Sequence, residues 1–237
     1  MLKGNGLCKN FGGVAALNDV DISLEKGSLI GLIGPNGAGK TTLFNAIAGA
    51  FSLSSGNLEF NGKSLNGKSA NHICRLGIAR TFQVPRPFAE MTCLENVLVP
   101  LVNRSRVGER TALLQEGREI LDFVGLGNRD DILAKELNLV EKKRLEMARA
   151  LCTNPQLLLL DEVLGGLNTQ EIGAAVDLIV NLSEKRGIAV LWIEHVMGAI
   201  MGAAERIIVL DQGEKLMEGT PEEVAHDPRV IHAYLGA

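Results

Sequence analysis

Residues 34–41 read Gly34-Pro35-Asn36-Gly37-Ala38-Gly39-Lys40-Thr41, lying between the apolar run Leu29–Ile33 and the helix-like stretch Thr42–Ile47. A glycine-rich turn that opens a helix lines up backbone N–H groups for which the helix itself has no acceptors. An anion fits such a concave nest, and the helix dipole adds a favourable field. Lys40 is placed to reach the outer phosphates of a nucleotide, and Thr41 offers a hydroxyl to Mg²⁺. Gly37 and Gly39 stand where a Cβ would keep the backbone from closing on the ligand. An ordinary glycine-rich turn is the plainer alternative. Strand, loop, Lys-Thr pair and helix nevertheless come in the order that a phosphate-binding loop requires, so Gly34 to Thr42 are the expected nucleotide contacts.

A chain of 237 residues with 46% hydrophobic composition can bury a sizeable core in one domain. A net charge of −4 argues against a binder of duplex nucleic acid, which needs a basic face. No segment approaches the roughly 18 consecutive apolar residues that span a bilayer. The start, MLKGNGLCKNFGG, lacks an apolar stretch of the secretory type, so a cytoplasmic chain is expected. Cys8, Cys74, Cys93 and Cys152 are scattered, and His72, His195, His226 and His232 show no ligand spacing. Neither a disulfide framework nor a structural zinc site is expected.

Along the chain, Val20, Ile22 and Leu24 alternate in DVDISLEKG, which predicts a half-buried antiparallel strand. Asn61-Gly62 after Leu58–Phe60 is a hairpin-turn signal. From about Phe88 to Cys152 the apolar spacing turns helical, with Leu113, Leu114, Ile120, Leu121 and Val124, then Leu145, Ala148 and Cys152. Two unbroken apolar runs follow, Gln156–Leu160 ending in Asp161-Glu162 and Ile188–Ile193 ending in Glu194-His195, with helix-like Glu171–Lys185 between them. Continuous hydrophobicity is what a parallel strand covered on both faces needs, and strand–helix–strand is the grammar of an open parallel sheet. Ligands of such sheets lie beyond the carboxyl ends of the strands. Arg206–Leu210 and Glu214–Glu218 predict a hairpin around Asp211-Gln212-Gly213, and Thr220-Pro221-Glu222-Glu223 predicts a capped terminal helix.

Asp161 closes an apolar strand, where a carboxylate can bind Mg²⁺ directly or through water. Glu162 beside it suits the polarisation of an attacking water. Strand-end acids can instead be helix caps; a phosphate loop on a neighbouring strand favours the catalytic alternative. Nucleotide hydrolysis needs phosphates held, metal charge bridged to the outer oxygens and a water placed in line. His195 ends the second buried strand and is the natural extra contact near the γ-phosphate, against the plainer role of a packed core histidine. Gln83, in ARTFQVPRPF, could bond both Mg²⁺ and the attacking water, or be a surface glutamine.

In this order the parts resemble the nucleotide-binding subunit of ABC transporters over essentially the whole chain. The likeness is nearest to the ATPases of branched-chain amino-acid importers. It is carried by KNFGGVAALNDVDISLEKG, GPNGAGKTTLFNAIAG, ARTFQVPRPFAEMTCLENV, RLEMARAL, LLLLDE, IEH and the ending EGTPEEVAHDPRVIHAYLG. The resemblance implies an α/β fold: a RecA-like P-loop core with a mainly parallel sheet, an antiparallel β subdomain and an α-helical subdomain. The core lobe would comprise residues 1–87 and 153–237, and the helical subdomain 88–152. It also implies that Phe11 stacks on adenine, that Gln83 faces the membrane subunits, that His195 is the switch histidine and that Leu167-Asn168 contacts a second cassette.

The implied activity is ATP hydrolysis with Mg²⁺, held by Thr41, Gln83 and Asp161 and catalysed through Glu162, His195 and Gln83. The implied partners are a second ABC ATPase in a homo- or heterodimer, two permease subunits and, indirectly, an extracytoplasmic binding protein. The subunit would sit on the inner face of the membrane and power uptake of branched-chain or related hydrophobic amino acids or small amides. One segment departs from the family. Its signature, LSGGQ, aligns with Leu137-Asn138-Leu139-Val140-Glu141, and in the family this helix start donates to the γ-phosphate of ATP held by the opposite subunit. Val140 adds a branched side chain where close approach is wanted, and Glu141 repels phosphate unless it points away. A harmless exchange and a weakened half-site are both compatible with this, as are two rivals: a regulatory ATP-binding subunit without turnover and a soluble non-transport ABC ATPase.

Overall fold

A computed structural model describes residues 1–104 and 110–235. Residues 105–109 of the expected helical insert and Gly236 of the ending lie outside the described residues. The strands are β1 Leu2–Phe11, β2 Val14–Leu24, β3 Leu29–Ile33, β4 Ser55–Phe60, β5 Lys63–Ser64, β6 Ile78–Arg80, β7 Leu157–Asp161, β8 Ala189–Ile193, β9 Arg206–Asp211 and β10 Glu214–Gly219. The helices are α1 Lys40–Ile47, α2 Ala70–Leu76, α3 Cys93–Arg104, α4 Arg110–Phe123, α5 Leu139–Leu151, α6 Thr169–Glu184, α7 Met197–Ala203, α8 Pro221–His226 and α9 Pro228–Leu235.

Two sheets form, an antiparallel one in the order β2-β1-β4-β5 and a larger one in the order β10-β9-β3-β8-β7-β6. In the larger sheet every pairing is parallel except β10 with β9. Period-two alternation divides its buried strands between two cores. Leu158, Leu160, Val190 and Trp192 face helices α3 to α6, while Leu157, Leu159, Leu191 and Ile193 face α1 and the antiparallel sheet. Covering both faces is why these strands read as unbroken apolar runs. The helices α3–α5 share one continuous core with the first face rather than building their own.

The predicted signals hold locally. Val20, Ile22 and Leu24 are buried on β2, and Asn61 and Gly62 take φ of 50° and 73° at the β4–β5 turn, as a tight hairpin demands. Thr220 caps α8 through a reciprocal capping box with Glu223, and Pro221 takes the first turn. Two expectations need correction. The tail carries two helices, because Pro228 cannot continue α8 and begins α9 instead. The strand that ends in Asp161 is not next to the phosphate-loop strand: β8 runs between them.

Cys93 and Cys152 are wholly buried, and burial raises their thiols to about 11 and about 12, respectively. They stay protonated near neutrality. With iodoacetamide at pH 8 we expect neither to be alkylated in the folded chain, and both to react once guanidinium unfolds it, as peptide mass spectrometry would show.

Candidate functional site

Strands β3, β8 and β7 lie in this order and run parallel, so Ile33, Ile193 and Asp161 end on one edge of the sheet. The phosphate loop, Glu194-His195 and Glu162 therefore leave the sheet side by side. At Gly39 the loop takes a φ of 100°, and a Cβ there would stand 2.7 Å from the carbonyl oxygen of Ala16. Gly37 is required by its backbone conformation. A Cβ there meets nothing within 4 Å, but its φ of 82° suits glycine. Among the described residues, Asn36, Gly37, Gly39, Lys40 and Thr41 have backbone N–H groups without an acceptor, while Ala38 N–H donates to the Pro35 carbonyl at 3.2 Å. No side chain caps α1. The nest is open to an anion, as sequence reasoning requires.

Lys40 is buried, and its Nζ donates to the carbonyls of Gly34 at 2.6 Å and Pro35 at 2.9 Å. Burial lowers its pKa, and the charges of Glu162 and Asp161 partly restore it. One cation thus faces both strand-end acids across the intervening β8. Asp161 Oδ2 accepts from Arg80 at 2.7 Å. Arg80 also bonds Asn45 on α1.

Glu162 gathers the other predicted groups. Gln83 Nε2 donates to Glu162 Oε2, and His195 Nε2 lies 2.7 Å from Oε1, the imidazole N–H donating to the carboxylate. Residues 83, 162 and 195 meet at a single carboxylate. The backbone of Glu162 takes a φ of 49°, a left-handed conformation uncommon outside glycine. Phe11, by contrast, is not core: it is half exposed and packs edge-on against Phe51 with ring centroids 5.2 Å apart. Lys9 Nζ stands 4.9 Å from its centroid.

Other contributors were not visible in sequence. The buried carboxylate of Glu146 on α5 accepts N–H bonds from Phe82 at 2.9 Å and Arg86 at 2.7 Å, bracketing Gln83. Arg149, one turn on, donates to the Arg86 carbonyl at 2.7 Å. Tyr234 Oη accepts the Gly34 N–H at 2.7 Å, so α9 braces the entry to the phosphate loop. These pairs are far apart in the chain, and no local pattern announces them.

At the altered signature the structure gives a definite arrangement. Asn138 is the N-cap of α5: its Oδ1 accepts from Glu141 N at 2.9 Å, and Asn138 N donates to Glu141 Oε2 at 3.0 Å. Glu141 Oε1 also pairs with Arg129 at 2.8 Å. The Glu141 charge is thus turned back onto its own chain. The same box recurs at α6, where Asn168 bonds Glu171 reciprocally, which gives the asparagine in the expected dimer loop a capping role. Both are Asn-x-x-Glu patterns that the sequence displays.

Fold and site together define a phosphate-loop nucleotide-binding domain. A family model described as ABC transporter matches residues 17–165, and one described as branched-chain amino acid ATP-binding cassette transporter matches residues 214–237. The chain belongs to the ABC transporter family. It is 38% identical to the high-affinity branched-chain amino acid transport ATP-binding protein LivG of Salmonella typhimurium, across 100% of this chain and 98% of that protein. The ADP conformation of MJ1267, an ATP-binding cassette of an ABC transporter, superposes with a TM-score of 0.90 at 31% identity, covering 100% of this chain and 99% of that one. MJ0796, an ATP-binding cassette in a dimeric post-hydrolysis state with ADP and Pi, gives 0.84 at 25% identity, covering 93% and 99%.

The cap of α5 has a measurable weight. Asn138→Ala should lower unfolding free energy by about 0.5–2 kcal/mol, read as a shift of the urea midpoint with an unchanged slope.

Proposed function

We propose that this chain is the ATP-hydrolysing subunit of an ABC importer for branched-chain or related hydrophobic amino acids or small amides. The observation that carries the chemistry is the convergence of Gln83 and His195 on Glu162, opposite a phosphate loop whose Lys40 faces the same carboxylate. ATP would lie with its phosphates on the N–H groups of residues 36–41 and its adenine against the exposed Phe11. Glu162 takes a proton from water as the oxygen bonds the γ-phosphorus. The bond from that phosphorus to the bridging oxygen breaks, and ADP leaves with the electron pair. His195 holds the Glu162 carboxylate in place and lies near enough to donate to the transferring phosphoryl group. With Lys40, Asp161, Glu162 and His195 assembled, a purely regulatory subunit is not favoured, and the likeness to branched-chain amino acid transport ATP-binding proteins argues against a soluble non-transport ATPase.

The donor set also fits Mg²⁺. Thr41 offers a hydroxyl, Asp161 a carboxylate oxygen free of Arg80, and Gln83 its amide oxygen, since the nitrogen is committed to Glu162. No cluster of three or more His, Cys, Asp or Glu suited to a metal occurs among the described residues; Mg²⁺ bound partly by substrate phosphates needs none. When bound, it offsets the charge that develops on the phosphate oxygens.

The working unit would be a head-to-tail dimer, two permease subunits and an extracytoplasmic binding protein, with this chain peripheral on the inner face of the membrane. No helix among the described residues is long and apolar enough to cross a membrane. A groove of about 720 Å³ between the Gln83 segment and helices α2, α3 and α5 would receive a permease helix; Arg75 and Arg86 line it and suit carboxylates. The division at residues 88 and 152 into a core lobe and a helical subdomain would let that groove transmit motion to Gln83.

Two tests follow. Glu162→Gln should keep ATP affinity while lowering kcat by about 10²–10⁴-fold, measured by phosphate release; an unchanged rate contradicts the assignment. Because Val140 adds a branched side chain where close approach is wanted and the Glu141 N–H is taken up by the Asn138 cap, this chain would form a weak signature for its partner's ATP. In a heterodimer with an intact partner signature, Glu162→Gln should abolish most turnover and the partner's matching change little. Equal losses would argue against asymmetry.

A further inference from the structure

Lys143 lies in the second turn of α5, and its ammonium points inward. Its Nζ donates to the backbone carbonyls of Gly165 at 2.6 Å, Val163 at 3.0 Å and Glu162 at 3.4 Å. Three N–H donors meet three acceptors, so the side chain is saturated. All three acceptors belong to the turn that follows the catalytic carboxylate. Burial lowers the Lys143 pKa, and Glu194 and Glu162 partly restore it.

The same turn is gripped from the other side. Leu164 N–H donates to Glu194 Oε1 at 2.8 Å, and His195 N–H approaches Oε2 at 3.3 Å. Glu194 is 2% exposed, and burial is the main cause of its raised pKa. The grip extends one residue further: a Cβ on Gly166 would stand 2.9 Å from Leu139 Cδ2, at the start of α5. Between these holds, Glu162 keeps its left-handed φ of 49° and presents its carboxylate to Gln83 and His195. A strained conformation of this kind persists only where its surroundings over-determine it.

We propose that Lys143 is a positioning residue for ATP hydrolysis: from the signature helix it clamps the 162–165 turn and so holds the Glu162 carboxylate in its working orientation. The proposal rests on the assignment of Glu162 as the base. It makes α5 a single rod fastened at both halves of the site, through Lys143 to Glu162 and through Glu146 to the Gln83 segment. The Lys143 ammonium is taken up by backbone carbonyls of its own chain, so its removal should leave ATP binding alone.

The test uses the full chain as Lys143→Met, which keeps the apolar stem and removes the donors, with Lys143→Gln as a second variant that retains two N–H groups. For Lys143→Met we expect ATP affinity and KM within about twofold of wild type and kcat lower by about 100-fold, the scale set by small misplacements of reacting groups. Lys143→Gln should fall between. Combined with Glu162→Gln, Lys143→Met should lower kcat no further, because both changes disable one carboxylate. Amide exchange without nucleotide should accelerate at residues 163–166 by at least about tenfold and stay unchanged at residues 36–42. Wild-type kcat in Lys143→Met, a KM effect without a kcat effect, or unchanged exchange at 163–166 would each overturn the proposal. Should wild type itself fail to bind ATP, the functional assignment falls, and the exchange measurement alone decides on the clamp.

Discussion

A buried positive charge at Lys40 sets the terms for the rest of the site. An ammonium taken from water needs hydrogen-bond acceptors and negative charge around it. The loop carbonyls of Gly34 and Pro35 take two of its three N–H groups and leave one for a phosphate, and Asp161 and Glu162 supply the negative charge from two strands away. That alignment requires three parallel strands to end together, and parallel strands of this kind require both faces of the sheet to be covered. One face is covered by the helical insert and the other by α1 and the antiparallel sheet. The two-sided core is therefore the condition under which a cation can await phosphate beside two acids.

The strands that build this edge were legible in sequence because burial on both faces leaves a local mark. Leu29–Ile33, Gln156–Leu160 and Ile188–Ile193 are unbroken apolar runs, each ending in polar chemistry. Turn and cap chemistry was equally local, as at Asn61-Gly62 and Thr220-Pro221. Strand order was not: nothing in the runs says that β8 lies between the phosphate loop and Asp161. Pro100 inside α3 also runs against local preference, and tertiary packing carries it.

What sequence could not supply was convergence. Gln83, Glu162 and His195 could each be assigned a role, by chemistry or by family resemblance, but their meeting at one carboxylate depends on contacts spanning 79 and 33 positions. Lys143, Glu146 and Arg149 lie at helical spacing on α5 and look like an exposed charged stripe. Their charged ends instead reach backbone groups of two separate loops. The altered signature is a middle case. Glu141 raised the question of repulsion, and Asn-x-x-Glu already contained the answer as a capping box.

The most direct measurement is equilibrium titration of the purified chain and of Lys40→Ala with a fluorescent ATP analogue in magnesium buffer. One nucleotide should bind per chain, and the substitution should weaken it by about two orders of magnitude, the scale of losing a buried charge-assisted contact. Equal binding by the two proteins, or none by either, would contradict the account.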